Sequence, residues 1–280
     1  MDLPGVGVLA KPSIRVHTMT CSIPLRRVVT LTVLTTALLL FASPVRTYAQ
    51  RGQAGRGAAT TAKAASPVDL TGYWVSVVSE DWRWRMVTPA KGDYQSVPLN
   101  PEGIKVAGTW DPAKDEADGN QCKAYSAAAI MRVPGRLHIS WEDDATLRID
   151  TDAGMQTRLL HFGGSEPPRG EPTWQGYSAA QWEFAGGGRG GQAQALGGDL
   201  KVITTRLRPG YLRKNGVPHS GNAVVTEYFN RTIEANGDSW LIVMTIVEDP
   251  QYLTRSFVTS THFKKLMDAA GWNPKPCSSR

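Results

Sequence analysis

Two side chains in the last third of the chain could do acid–base chemistry. His219 stands in Val217-Pro218-His219-Ser220, within a stretch rich in turn formers, and Glu227 follows it on the next strand signal. An imidazole titrates near neutral pH and can give or take a proton. Glu227 alternates with the apolar Val225 and Phe229. A carboxylate held among apolar neighbours is a weaker acid and a better base. Each residue also has a structural reading. His219 could stabilise a turn through its ring nitrogens, and Glu227 could pair with Arg231 on the same strand face. For Glu227 the ion pair with Arg231 is the preferred reading.

A second group could hold a ligand. Asp81-Trp82-Arg83-Trp84-Arg85-Met86 alternates strictly, which reads as a strand with Trp82, Trp84 and Met86 on one face and Arg85 on the other. Trp174 and Tyr177 lie in an aromatic stretch further on. Trp82, Trp84, Arg85, Trp174 and Tyr177 are therefore candidate ligand contacts, an aromatic wall with a cation at its rim. The structural alternative is that the aromatics are core and the arginines solvated.

Other chemistries find little footing. The histidines after the leader are His138, His161, His219 and His262, and none has the spacing of a metal motif. No metal or cofactor is expected. His161 and His262 read as packed or hydrogen-bonded strand residues. There is no Gly-x-Ser-x-Gly elbow for a nucleophilic serine. Asp143-Asp144 and Glu248-Asp249 are paired carboxylates at turns, where solvated turn chemistry accounts for them.

The elements that must position these residues begin after a leader. Arg26 and Arg27 precede the apolar run Val28 to Ala42, and Thr47-Tyr48-Ala49 supplies small residues for cleavage. This is the pattern of a secretory signal peptide. The run is shorter than the ~20 apolar residues a membrane-spanning helix needs. We therefore read 1–49 as an N-terminal extension and signal peptide, with no transmembrane span after cleavage and a periplasmic or extracellular destination. The leader holds five of the 31 basic residues and one of the 25 acidic ones, leaving 26 against 24, a net charge of +2. Without a concentrated basic patch, nucleic acid is not an expected partner.

Cys122 and Cys277 remain after processing, and an even count in an exported chain predicts a disulfide between them. Residues 50–67 are mostly Gly, Ala, Thr and Arg with little to bury, and read as a disordered linker. Residues 68–266 read as one β-barrel domain, and 267–280 as a C-terminal tail. Within the domain, Asn100-Pro101-Glu102 opens a short helix near 101–110. Asp111 to Asn120 reads as a charged loop, and Cys122 to Arg132 as either a helical turn or a buried strand. Strands are expected over 136–141, 146–151, 155–162, 199–207, 222–232, 239–248 and 256–264, with a long crossing loop over 208–221. Asn236-Gly237 between two of these runs is a strong hairpin signal. The glycine-rich stretch 185–198 reads as a flexible surface loop.

Asp69-Leu70-Thr71-Gly72-Tyr73-Trp74 resembles the Gly-x-Trp entry of lipocalin-like (calycin) barrels, in which the Trp plugs one end. The spread Trp174-x-Gly176-x-Ser178, Trp182, Gly198-Asp199-Leu200, Pro218-His219-Ser220, Val225-Thr226-Glu227, Thr245-x-x-Glu248-Asp249-Pro250 resembles an uncharacterised family of exported bacterial lipocalin-like proteins. The chain departs from it in the glycine-rich insertion and in Tyr228, where an Arg is more usual. The resemblance implies an all-β, antiparallel lipocalin-like barrel of about eight to ten strands and no established reaction.

Three functions fit these observations. One is an exported module binding an apolar or aromatic small molecule, supported by nine Trp and by a fold whose interior can hold one small ligand. Another is a cofactor-independent lyase, isomerase or hydrolase using His219 with Glu227 or Arg85. The third is a structural envelope protein with a filled barrel. Fold alone does not separate them. The separating observation is whether His219 and Glu227 meet in one pocket with Trp82, Trp84 and Trp174. Nothing in the sequence sets an oligomeric state.

Overall fold

A computed structural model describes residues 60–164, 167, 169–184 and 198–280. The leader, most of the linker and 185–197 lie outside the described residues. Nine strands close a barrel in the order β1, β12, β11, β10, β7, β6, β5, β3, β2, with β2 returning to β1. They are β1 (Gly72–Val77), β2 (Arg136–Asp143), β3 (Thr146–Thr151), β5 (Thr157–Phe162), β6 (Tyr177–Phe184), β7 (Gly198–Thr205), β10 (Val224–Ile233), β11 (Ser239–Glu248) and β12 (Phe257–Lys265). Four short strands stand outside it. β4 (Ala153–Gly154) pairs with β13 (Lys275–Pro276), and β8 (Gly210–Arg213) pairs with β9 (Val217–His219). Every barrel junction is antiparallel except β5 with β6, which is parallel.

Period-two alternation decides which side chains fill the barrel. Leu137 and Ile139, Leu147 and Ile149, Leu160 and Phe162, Leu200 and Val202, Phe229, Leu241 and Val243, and Phe263 belong to one buried cluster with Trp74. Trp74 is fully buried, and its indole N–H donates to the Leu70 carbonyl at 2.9 Å. A second cluster holds Val225, Val247 and Phe257. Between the two, the inward positions turn polar: Arg158, Ser178, Thr204, Glu227, Thr245 and Thr261 are all buried. The barrel is thus two apolar layers separated by a polar one.

The segment 122–132 resolves into two short 3-10 turns, Lys123–Tyr125 and Ile130–Arg132, and not a strand. Its residues from Ala124 to Arg132 are buried. Ala124, Tyr125, Ile130 and Met131 join the first cluster, and Ala127 and Ala128 the second. The run of small residues lets this irregular backbone pack closely, and its amides find partners, with Ala127 N–H donating to the Trp174 carbonyl at 2.9 Å.

Several expectations need correction. Trp82–Arg85 is a single helical turn, α1, and not a strand. Asp81 enters the left-handed region at φ 49°, and Met86 N–H closes on the Trp82 carbonyl at 2.9 Å. Four residues are too few for alternation to distinguish the two periods. α2 (Pro101–Ala107) forms as expected, with the Asn100 side chain accepting from Gly103 N–H at 2.8 Å. Asp111 to Asn120 is not simply a loop. Pro112–Ala117 forms α3, with Asp111 accepting from Ala113 and Lys114 amides. The cap-then-proline signature of α2 is repeated there. The crossing loop 208–221 contains the β8–β9 hairpin, turned at Gly216 (φ 82°), where a Cβ would overlap Trp110. Residues 60–67, placed in the linker by composition, form a turn against the barrel: Trp182 Nε1 donates to the Ala62 carbonyl at 2.9 Å.

Candidate functional site

The barrel interior does not bring the expected acid–base pair together. Glu227 points inward from β10 and is fully buried, and its carboxylate accepts from Arg158 Nη1 at 3.0 Å and Nη2 at 2.5 Å. The expected pairing with Arg231 does not form. Four residues along a strand separate Cα atoms by about 13 Å, and Arg231 instead donates to Ser239 Oγ at 2.7 Å and to the Asp69 carbonyl. Arg158 sits on β5, three strands around the barrel from β10. The pair is bidentate, and Thr204 Oγ1 lies 3.4 Å from Arg158 Nη2.

His219 is a β9 residue and not a loop residue. It is 1 % exposed and its Nε2 lies 2.8 Å from Ser126 Oγ. Its Nδ1 lies 3.1 Å from the Ser220 carbonyl. A carbonyl only accepts, so Nδ1 carries the proton and Ser126 O–H donates to Nε2. Ser220 in turn donates its amide and hydroxyl to Asp249 at 2.6 and 2.8 Å. A serine hydroxyl on a neutral imidazole is a nucleophile–base arrangement in outline. Here Ser126 is fully buried, so the hydroxyl has no opening to a substrate. Sequence reasoning missed Ser126 because nothing in its Ala-rich surroundings marks it.

Burial pushes the His219 pKa below its ordinary value, outweighing the Ser220 carbonyl and the Asp249 charge. The folded protein therefore resists protonating it while the unfolded chain accepts a proton near pH 6.5. Stability is full above that pH and falls as pH drops below it, until the lowered folded pKa is reached. The slope for one such group approaches about 1.4 kcal/mol per pH unit. Urea denaturation between pH 7 and pH 5 should show this fall, and His219→Gln should flatten it. An unchanged slope in the variant would assign the effect elsewhere.

The aromatic candidates also disperse. Trp82 is 66 % exposed on α1. Trp174 packs under the Arg208 guanidinium at 4.4 Å, and Tyr177 stacks on His161 at 5.1 Å, so both serve local packing. Trp84 has the guanidinium groups of Arg83 and Arg213 over its ring, at 5.2 and 4.9 Å, and donates to Asp93 at 3.2 Å. His262 is hydrogen-bonded to Ser79 at 2.9 Å, as a strand residue was expected to be.

Arg85 alone reaches a sizeable opening. A cleft of about 480 Å³ lies outside the barrel lumen, at the corner where the tail meets β4. Arg85 of α1 and the Met86 that follows it flank the cleft, with Val133 to Arg136 from the approach to β2 and Lys214 from the β8–β9 turn. Tyr125 and Gly154 contribute to its lining, and Asn273, Lys275, Pro276 and Ser278 bring the tail to it. The tail is held at several points. Lys275 and Pro276 pair with Ala153 and Gly154, Cys277 is joined to Cys122 by a disulfide, and Ser279 donates to the Pro112 carbonyl at 2.8 Å.

The cleft is cationic. Arg85, Arg136, Lys214 and Lys275 line it against one acid, Asp152. Asp152 is already engaged, accepting from the Arg136 amide at 2.6 Å and lying 3.8 Å from Arg136 Nη1. The Arg136 Nε is buried without a partner. Lys214 lies 5.3 Å over the Tyr125 ring and donates to the main-chain oxygen of Arg280 at 2.6 Å. Arg85 is bonded to Glu80 and to the Arg132 carbonyl, and burial, then the Arg132 charge, lower its pKa to about 10. It stays charged at neutral pH. Gly154 belongs to the cleft's tight geometry: at φ 80° a Cβ would overlap the Tyr125 ring. Gly154→Ala should destabilise the fold by about 1–3 kcal/mol through backbone strain and crowding, read by thermal melting. An unaltered melting curve would mean that the Tyr125 ring shifts freely.

Among the described residues, no group of three or more His, Cys, Asp and Glu is placed to hold a metal ion. No helix among them is long and apolar enough to cross a membrane. No family model, no curated protein and no solved structure matches the chain.

Proposed function

We propose that the chain is an exported, lipocalin-like binding module whose ligand is a small organic anion with an apolar or aromatic body, held in the cleft beside the tail. The observation that carries this reading is the composition of the cleft: four cations, of which Arg85 is paired with Glu80, against a single engaged acid, with Tyr125, Met86, Val133 and Pro134 as apolar surface. Cations at such a site recognise a carboxylate or similar head, and apolar walls take up the rest of the molecule. Export follows from the leader and fits the cross-link between Cys122 and Cys277. The packed side chains of the barrel favour a ligand outside the lumen, which changes where a lipocalin-like protein would be expected to bind. The alternative, a lyase, isomerase or hydrolase built on His219 and Glu227, gains no support from a buried His219 and a Glu227 clasped by Arg158.

Calorimetric titration with a panel of aromatic monocarboxylates and their neutral amides tests this. The acids should bind and the amides should not. Arg136→Gln and Lys214→Gln should each weaken acid binding by about tenfold, the equivalent of one charge-assisted hydrogen bond. Equal binding of acids and amides, or affinities untouched by both substitutions, would remove the reading.

A further inference from the structure

Next to the cleft lies a much smaller space, about 40 Å³, lined by Trp84, Arg85, Arg132, Leu212 and Arg213 among others. It holds three arginines that are 7 %, 6 % and 4 % exposed in chain order, so it is a concentration of buried positive charge. Their partners do not balance them. Arg85 has Glu80, and Arg132 has Asp81 at 3.0 Å. Arg213 meets only neutral acceptors in the Gln95 carbonyl and Ser96 Oγ, each at 2.7 Å. The nearby Asp93 is taken by Arg83 at 2.7 Å. Two N–H groups, Arg132 Nη1 and Arg213 Nε, are buried with no hydrogen-bond partner.

A buried guanidinium without a counter-charge is costly, and so is a buried donor left unbonded. Both deficits fall on residues that line the same small space. We infer that this space is a binding site for one small inorganic anion of the halide class, held between Arg132 and Arg213. A space of this size has room for a water-sized guest, which suits a monatomic ion. The walls agree, because Val87, Ala124, Ala129, Val133 and Leu212 offer apolar contact to a weakly hydrated anion. Burial, then the Arg132 charge, lowers the Arg85 and Arg213 pKa values to about 10, and a bound anion would offset both effects. The donors invoked, Arg132 Nη1 and Arg213 Nε, belong to residues that do not line the cleft, although Arg85 and Lys214 line both spaces.

The test is thermal melting of the full chain at constant ionic strength while sodium gluconate, too large for the space, is exchanged for sodium chloride. Melting temperature should rise saturably with chloride, by roughly 5–10 °C at a roughly hundredfold excess over Kd. Arg213→Met should abolish the rise. Should that variant fail to fold, crystals of the unaltered chain soaked in bromide decide the matter: an anomalous peak within hydrogen-bonding reach of Arg132 Nη1 and Arg213 Nε supports the site. Identical melting in chloride and gluconate, or bromide found only on the surface, overturns it.

Discussion

Arg158→Met is expected to destabilise the barrel by about 3–5 kcal/mol, because it strands a buried carboxylate. Glu227 and Arg158 both have fully buried side chains, and the two hydrogen bonds between them occupy both carboxylate oxygens. With the guanidinium gone, Glu227 has neither water nor a cation. Glu227→Met should cost a similar amount by stranding Arg158. The double replacement should recover most of the loss, since two apolar side chains of matching volume often do as well as a buried pair. Urea unfolding of the four proteins as a double-mutant cycle measures this. If the single and double variants lose stability additively, the pair is not acting as a unit and the polar layer draws its balance from Thr204 and its neighbours.

The second large effect is expected at the disulfide. Cys122 and Cys277 are separated by 155 residues. Closing a loop of that length lowers the entropy of the unfolded chain by about 5 kcal/mol at 25 °C on the chain-entropy account. Cys122→Ser should approach that loss in denaturant unfolding, and a reducing agent should reproduce it in the unaltered protein. The cleft should respond as well, because Lys275, Pro276 and Ser278 line it. Affinity for an anionic ligand should fall with reduction even under conditions where near-ultraviolet circular dichroism still reports a folded barrel. Binding that survives reduction unchanged would show that the β4–β13 pairing is enough to hold the tail.

The barrel was legible in the sequence where burial is one-sided. β2, β3 and β5, and the β10–β11–β12 meander, alternate apolar and polar residues, and turn chemistry separates them. The closed sheet of nine strands falls within the expected number. What alternation could not supply was the partner across the lumen. Glu227 and Arg158 are 69 residues apart, and no local pattern links them. The reading with Arg231 failed because side chains on one strand face need not reach one another. Arg85 was placed on the wrong element: α1, and not a strand, turns it inward toward the Arg132 carbonyl. The α3 start was written in Asp111-Pro112, the same signal that located α2. The cleft itself was invisible, since residues from α1, the β2 approach, the β8–β9 turn and the tail meet only through long-range packing. Only the paired cysteines hinted that the tail is fixed to the body of the domain.

The lone parallel junction between β5 and β6 has an arithmetical consequence. Going once round a closed ring of strands, direction must return to its starting sense, so reversals must be even in number. Nine strands with one parallel junction leave eight reversals. Adding or deleting a whole hairpin changes the strand count by two and keeps it odd. No such change can produce an all-antiparallel barrel from this one. A redesign that seeks the uniform up-and-down barrel must instead gain or lose a single strand. It must then reroute the connection between Phe162 and Tyr177, which at present carries the chain back to the end where β5 began.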